Sequence, residues 1–577
     1  MSWQLMSCPI YFLRKRTDRP LENRNKKQNY LAGAAILSVS TILVKIIGML
    51  YKIPLKRLIG DANFGYFNTA YEIYTVMLVI SITGLPVAMS RLVSEARALG
   101  NGRQVKRIYQ TALLAYLVIG LLGSGVMMLF PRWLATDVMH NPGSYYSILA
   151  LGPAVLCICI ASACRGFFQG QGNMVPTAVS QVIEALCKLV LGLSLAWLVL
   201  RRTGDGPLTS GATILGITVG SVLSAVYLVV SRRRASRSLD TLGGKARPMG
   251  ETMKSLLSIA VPITIGAAGL QIINLIDSST IMSRMLSAAE QVQAGSESVM
   301  GRLLSIAAQK NPEDLNQYAA DIAKGVYNFC QTIFNFPLAF IPNITASIIP
   351  AITNHLTLKN MRGVRMVQDS SLRLMGLIAL PCTVGMFVLA KPIIQLLGGY
   401  SGDLLSIAAM ILALLSFTIL ITSISNMASA IMQAHGFVFL PVINTIIGGI
   451  LKVIMNYILV GNPNIAIIGA PISTFLCFFV VMALNLFAMR RVLRKAPKVL
   501  PNIWRSGLAA LVMGGVTYLV YRLAGMFVSS VVISCGFAIL VAVVVYCILI
   551  VAFKAITYDD CMFLPKGEKI AKILRIR

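Results

Sequence analysis

Long apolar runs alternate with short basic stretches along almost the whole chain. Segments such as 208–230 and 531–553 carry no charged residue at all. A helix needs about 20 apolar residues to cross a hydrocarbon core of about 30 Å. Runs this long and continuous are not barrel strands, which alternate over about 10 residues, so the pattern predicts transmembrane helices. Fourteen spans follow from it: 30–52, 66–88, 108–130, 145–165, 175–199, 208–230, 254–277, 326–350, 369–390, 403–432, 437–460, 465–489, 503–524 and 530–553. The connection 278–325 has no run long enough to span, and the pattern predicts no fold for it.

Composition agrees with that reading. Of 577 residues, 56% are hydrophobic and 12% charged, where soluble domains carry about 25% charged residues. The net charge of +30 would suggest nucleic acid in a soluble chain. Here the cations fall in alternate loops rather than on one basic face, so nucleic acid is not an expected partner. With both termini inside the cell, about 35 of the 51 Lys and Arg lie in cytoplasmic segments, which is the positive-inside pattern. The expected protein is therefore a multi-pass protein of the cytoplasmic (plasma) membrane. It has basic cytoplasmic tails at 1–29 and 554–577 and a basic cytoplasmic linker at 231–253. The apolar stretch 9–13 is too short for a signal-peptide core, and its basic cluster follows instead of preceding it.

The chain also repeats itself. Gln169, Gly172 and Lys188 recur 264 residues later as Gln433, Gly436 and Lys452. This predicts two six-helix halves, 30–230 and 254–489, in parallel orientation, with a basic linker and two added helices in 490–553. Two halves that rock about a central cavity are the architecture of alternating access.

Ionisable groups at the centre of a span cost about 2.5–3.5 kcal/mol on insertion scales, so they normally face a partner or a wet cavity. Segment 30–52 places Ser38, Thr41, Lys45, Gly48 and Lys52 on one helix face. Lys45 has no acidic neighbour one turn away and reads as a cavity cation, with Glu72 as the competing structural partner. Lys52 reads either as a cavity cation or as a side chain snorkelling to the interface. Glu184 and Lys188 are four apart, hence neighbours, and read equally as a neutralised pair. Lys452 lies about eight residues from its span end, too deep to snorkel easily, and reads as a cavity cation. Segment 254–277 carries Thr264, Gln271, Asn274 and Asp277, and segment 326–350 carries Asn328, Gln331 and Asn335. Glu184 and Asp277 are candidate ion-coupling carboxylates.

The eleven cysteines show no metal-ligand spacing. No GxxxxGK[ST], HExxH or GxSxG motif occurs. No enzyme chemistry, metal or cofactor is expected. Cations in a low-dielectric cavity select anions, and an amphipathic anion can keep its tail in lipid while its head group enters such a cavity.

The run Lys45-Ile-Ile-Gly-Met-Leu-Tyr-Lys-Ile-Pro-Leu, then Ile59-Gly-Asp, Ala70-Tyr-Glu-Ile-Tyr, Thr83-Gly-Leu-Pro-Val-Ala and Arg91-Leu-Val-Ser-Glu, resembles the polysaccharide-biosynthesis branch of the MOP exporter superfamily. That branch includes SpoVB and the MurJ-type lipid II flippases. Asn274-Leu-Ile-Asp-Ser, with Arg284, resembles the same branch. The resemblance implies a flippase for polyprenyl-diphosphate-linked cell-wall or polysaccharide precursors, with lipid-linked oligosaccharide or lipid II, membrane lipids and cell-wall synthesis proteins as partners. It implies that helix 1 cations, Lys45 and then Lys52, receive the diphosphate, with Glu72, Lys188, Asn274, Asp277 and Lys452 as further substrate-binding candidates. It also implies a lipid-tail groove at 503–553 and lipid entry between helices 1 and 8. Tyr51 and Leu78 stand where proteobacterial relatives carry arginine, which leaves the cargo open within that class. A MATE-type multidrug or cation antiporter and a non-transporting scaffold of a glycan-assembly complex are the competing readings.

Overall fold

The computed structural model describes residues 22–236, 244–310, 314–339, 341–493, 496–527 and 530–557. The expected tails, 1–29 and 554–577, lie largely outside those residues, as does part of the linker 231–253. The described chain is helical throughout: α1 (Glu22–Ile59), α2 (Asp61–Ile82), α3 (Gly84–Ala98), α4 (Gly102–Leu129), α5 (Pro131–Trp133), α6 (Tyr145–Gly170), α7 (Val175–Thr203), α8 (Gly206–Ser236), α9 (Met249–Glu290), α10 (Val299–Ala308), α11 (Leu315–Leu338), α12 (Ile341–Thr357), α13 (Met361–Val388), α14 (Ala390–Gly398), α15 (Gly402–Ala434), α16 (Phe439–Val460), α17 (Gly469–Val492), α18 (Val499–Phe527) and α19 (Val531–Ala552). Among the described residues, twelve helical stretches are long and apolar enough to cross a membrane. The protein is therefore a multi-pass membrane protein. Helix also occupies the two remaining expected segments, as α1 and as the α11–α12 pair.

Two expected spans are broken, each beside a proline. The second is split at Thr83, whose amide and hydroxyl both bond the Val79 carbonyl; Pro86, in the first turn of α3, has no amide hydrogen for the turn before it. The eighth is split between Leu338 and Ile341, where Pro342 likewise cannot continue the ladder. The connection 278–325, left open by the pattern, is mostly helical. It holds the end of α9, all of α10 and the first turns of α11.

The turn between α6 and α7 matches the turn between α15 and α16. α6 ends at Gly170 and α7 starts at Val175; α15 and α16 end and start 264 residues later. The amides of Gln171, Gly172 and Asn173 bond the carbonyls of Phe167, Gln169 and Phe168; those of His435, Gly436 and Phe437 bond Ile431, Gln433 and Met432. Gly172 and Gly436 both take the left-handed backbone conformation, at φ 79° and 93°, which glycine adopts without steric cost. The same neighbour order recurs as well. α6 and α7 both pack on α8, and α15 and α16 both pack on α17.

Helices from the two expected halves meet at two places, α2 with α11 and α3 with α9. At the end carrying the 59–61, 130–144 and 398–402 connections, α2 lies backbone to backbone on α11: a Cβ on Gly325 would sit 1.9 Å from the Asp61 carbonyl oxygen. There Lys56 donates to the Gly398 carbonyl at 2.7 Å and lies 3.4 Å from Asp61, whose carboxylate accepts from the Tyr400 hydroxyl at 2.6 Å. Asp321 of α11 accepts from Tyr66, Asn141 and Gln317. At the opposite end, α3 meets α9 so closely that a Cβ on Gly84 would fall 2.2 Å from the Ala260 carbonyl. Leu256 and Ala260 of α9 thereby join the core of the N-terminal half, while the far end of α9 packs on α16.

Candidate functional site

Between these closures lie two adjoining cavities, separated by α11. The first, of about 440 Å³, is lined by Lys45, Gly48 and Lys52 of α1, Tyr71 of α2, Lys188 of α7, and Thr332, Asn335 and Ala339 of the α11 region, among others. The polar stripe read from α1 thus faces a cavity from Lys45 to Lys52; the Ser38 side chain lies outside the described residues. No carboxylate lines this cavity. Its three ammonium groups are held by neutral partners. Lys45 Nζ donates to the Ala339 carbonyl at 3.0 Å, just past the last residue of α11. Lys45 thereby bridges α1 to the C-terminal end of α11, the two helices between which the resemblance implies lipid entry. Lys52 Nζ donates to Asn68 Oδ1 at 3.2 Å and lies 5.8 Å from the Tyr71 ring centroid. It therefore points inward and does not snorkel.

Lys188 sits among three aromatic faces, with its ammonium 4.6 Å from the Tyr71 centroid, 5.1 Å from Tyr51 and 5.9 Å from Phe67. Ring faces carry negative charge and attract a cation without neutralising it. Glu184 is not its ion-pair partner. That carboxylate lies 3.3 Å from Arg165 of α6, which also donates to Ser180 and Ser224. Of the two readings of the Glu184–Lys188 spacing, the neutralised pair is the one the side chains do not form. Tyr51, which stands where the resemblance places an arginine, is the ring that the Lys188 cation covers, so positive charge reaches that place from α7. Leu78 packs against the main apolar core.

The second cavity, of about 320 Å³, lies on the other side of α11 and shares Asn335 and Leu338 with the first. Glu72, Gln271, Asn274, Asp277, Lys324, Asn328, Gln331 and Lys452 contribute to its lining. Lys452 is not a bare cation: its Nζ lies 2.6 Å from Asp277 Oδ2. Asn456 donates to the other Asp277 oxygen and accepts from the Ser473 hydroxyl. The candidate coupling carboxylate Asp277 is thus occupied by an ammonium of its own chain. Glu72 accepts from Ser278 and lies 3.8 Å from Lys324, so it pairs across the halves and does not serve Lys45. Lys324 is the site residue that sequence reasoning missed. It lies in the connection where no span was predicted, yet it is 2% exposed, and only the fold of α11 against α2 reveals its burial.

Among the described residues, no cluster of three or more His, Cys, Asp or Glu side chains could hold a metal ion.

This helical bundle, with cavities beside α11, has the fold of the MOP-superfamily transporters. A lipid II flippase MurJ structure in an inward closed conformation superposes with a TM-score of 0.66, at 14% identity, over 90% of this chain and 98% of that one. An inward-facing multidrug resistance MATE transporter shares the fold at a TM-score of 0.57 and 14% identity, over 77% of this chain and 97% of that one. The family described as polysaccharide biosynthesis protein matches residues 30–355, and the one described as lipid II flippase MurJ matches residues 314–547. The chain belongs to the polysaccharide biosynthesis protein family, in its SpoVB and MurJ-type branch. Stage V sporulation protein B of Bacillus subtilis is 23% identical over 93% of this chain and 98% of its own. Lipid II flippase MurJ of the same organism is 24% identical over 74% of this chain and 76% of its own.

Proposed function

We propose that this protein is a flippase that carries polyprenyl-diphosphate-linked glycan precursors, lipid II or a close relative, across the cytoplasmic membrane by alternating access. The observation that carries the reading is the first cavity, where Lys45, Lys52 and Lys188 converge with no carboxylate in the lining. Three cations in a site of reduced dielectric attract a diphosphate strongly. Lysine, a point charge with three donors, suits phosphate oxygens approached from several directions. Many large apolar side chains of α18 and α19 are exposed, and this surface would offer the polyprenyl chain an apolar path.

With both termini cytoplasmic, the head group enters from the cytoplasmic side near the Lys45–Ala339 contact. It displaces that carbonyl with its phosphate and is released outward when the Lys56–Gly398 and Tyr66–Asp321 contacts open. Asn274 and the Lys452–Asp277 pair line the neighbouring cavity. No covalent bond is made or broken, so no catalytic residue is needed. An organic-cation antiporter is disfavoured because the three lysines would repel its cargo.

Reconstitution tests this reading. Proteoliposomes containing the full chain and a fluorescent polyprenyl-diphosphate glycan should expose the label to an external quencher faster than empty liposomes. Equal rates in the two would contradict it.

A further inference from the structure

The two cavities differ in charge and in chemistry. The first presents three ammonium groups and no carboxylate in its lining. In the second, Glu72 and Asp277 stand against Lys324 and Lys452, so its formal charge is zero. Its distinctive groups are carboxamides, Gln271 and Asn274 on α9 facing Asn328, Gln331 and Asn335 on α11. A carboxamide both donates and accepts hydrogen bonds. Several of them lining a small cavity of balanced charge match a neutral ligand rich in hydroxyl and amide groups, where an anion or cation would gain nothing.

Two donors in this wall lack hydrogen-bond acceptors. Lys324 Nζ and Asn328 Nδ2 are buried without a hydrogen-bond acceptor, on side chains from residues only 2% and 5% exposed. The Glu72 carboxylate, at 3.8 Å, lies beyond hydrogen-bond reach of Lys324. A buried donor without an acceptor costs about 1–3 kcal/mol, so both are pre-set to bind an oxygen that enters the cavity. A volume of about 320 Å³ lies at the small end of the range for small-ligand sites, about 300–1,000 Å³.

We propose that the α9–α11 cavity is a glycan subsite: it receives the first sugar of the lipid-linked cargo while the Lys45–Lys52–Lys188 cavity holds the diphosphate. Asn335 and Leu338, which line both cavities, mark the place where the sugar–phosphate bond passes from one to the other. Asn328, Gln331 and Lys324 then determine specificity for the glycan and not for the lipid. The inference rests on the flippase reading above.

Binding to the purified full chain in nanodiscs tests it with two probes, undecaprenyl diphosphate and the same lipid bearing one N-acetylglucosamine. The wild type should bind the sugar-bearing lipid roughly tenfold tighter, corresponding to about 1.4 kcal/mol. Asn328→Ala and Gln331→Ala should each remove that preference and leave affinity for the bare diphosphate in place, which also reports that the variants are folded. Lys45→Ala should weaken both probes. Equal wild-type affinity for the two lipids, or a preference that survives in both amide variants, would overturn the subsite while leaving the diphosphate cavity standing. Failure of the wild type to bind either lipid would overturn the flippase reading and the subsite with it.

Discussion

The Lys452 ammonium is held 2.6 Å from the Asp277 carboxylate, whereas its counterpart 264 residues earlier, Lys188, lies over three aromatic rings and forms no such close ion pair. One position of the repeat thus carries a neutralised cation in one half and an un-neutralised one in the other. The asymmetry separates a charge-balanced cavity from a cationic one.

Removing one partner of a buried pair leaves an uncompensated charge and costs about 3–5 kcal/mol. Asp277→Asn and Lys452→Ala should each lower the unfolding temperature of the purified protein clearly. The double variant Asp277→Asn/Lys452→Met should recover much of the loss. Additive losses in a double-mutant cycle would show that the two groups act independently.

The cations of the first cavity should behave differently, because none of them holds a carboxylate in place. Hydrogen bonds to charged groups contribute about 1.5–3 kcal/mol. Lys52→Ala and Lys188→Ala should therefore weaken binding of a polyprenyl diphosphate roughly tenfold to a hundredfold, with little change in thermal stability. A large stability loss with unchanged affinity would make them structural.

Glu184 accepts from Arg165, which also donates to Ser180 and Ser224, an arrangement that predicts a structural role. Glu184→Gln keeps an oxygen for Arg165 and should transport at close to the wild-type rate under each ion gradient applied to proteoliposomes. Loss of a sodium or proton dependence in that variant would assign Glu184 to coupling.

The contact of α2 with α11 requires glycine. A Cβ at residue 325 meets the Asp61 carbonyl oxygen at 1.9 Å, and one at residue 65 meets the Asp321 carbonyl oxygen at 3.1 Å. Overpacking typically costs about 1–3 kcal/mol. Gly325→Val should spread this end of the bundle and abolish transport while the protein still inserts. Gly65→Ala, where the neighbour needs to give only slightly, should be milder. Equal transport by Gly325→Val and wild type would show that this closure is not part of the cycle.

Much of the fold is legible in the sequence because lipid imposes a length and a period. The helices appear where apolar runs of span length predict them. The 264-residue repeat of Gln169 and Gly172 is a repeat of backbone hydrogen bonds as well as letters, while Lys188 and Lys452 repeat in position but not in partner. The α1 stripe is legible too, since a spacing of three and four residues fixes a helix face before any partner is known.

Partner choice is not legible in this way. Spacing makes Glu184 and Lys188 neighbours along α7, but whether they pair depends on Arg165 and Tyr71, which arrive from other helices. The pairing of Lys452 with Asp277 joins helices 175 residues apart in sequence. Lys324 looks like a loop cation because its flanking residues are mixed in polarity, and it becomes a buried group only when α11 continues past the expected span end.

The measurement that bears most directly on the central claim is outer-leaflet lipid II in cells depleted of their own flippases and supplied with this protein or with its Lys45→Ala form. The account predicts that the wild type restores outer-leaflet lipid II and that Lys45→Ala, inserted at the same level, does not. Full restoration by Lys45→Ala would contradict the cationic cavity as the cargo site, and no restoration by well-expressed wild type would contradict lipid II as the cargo.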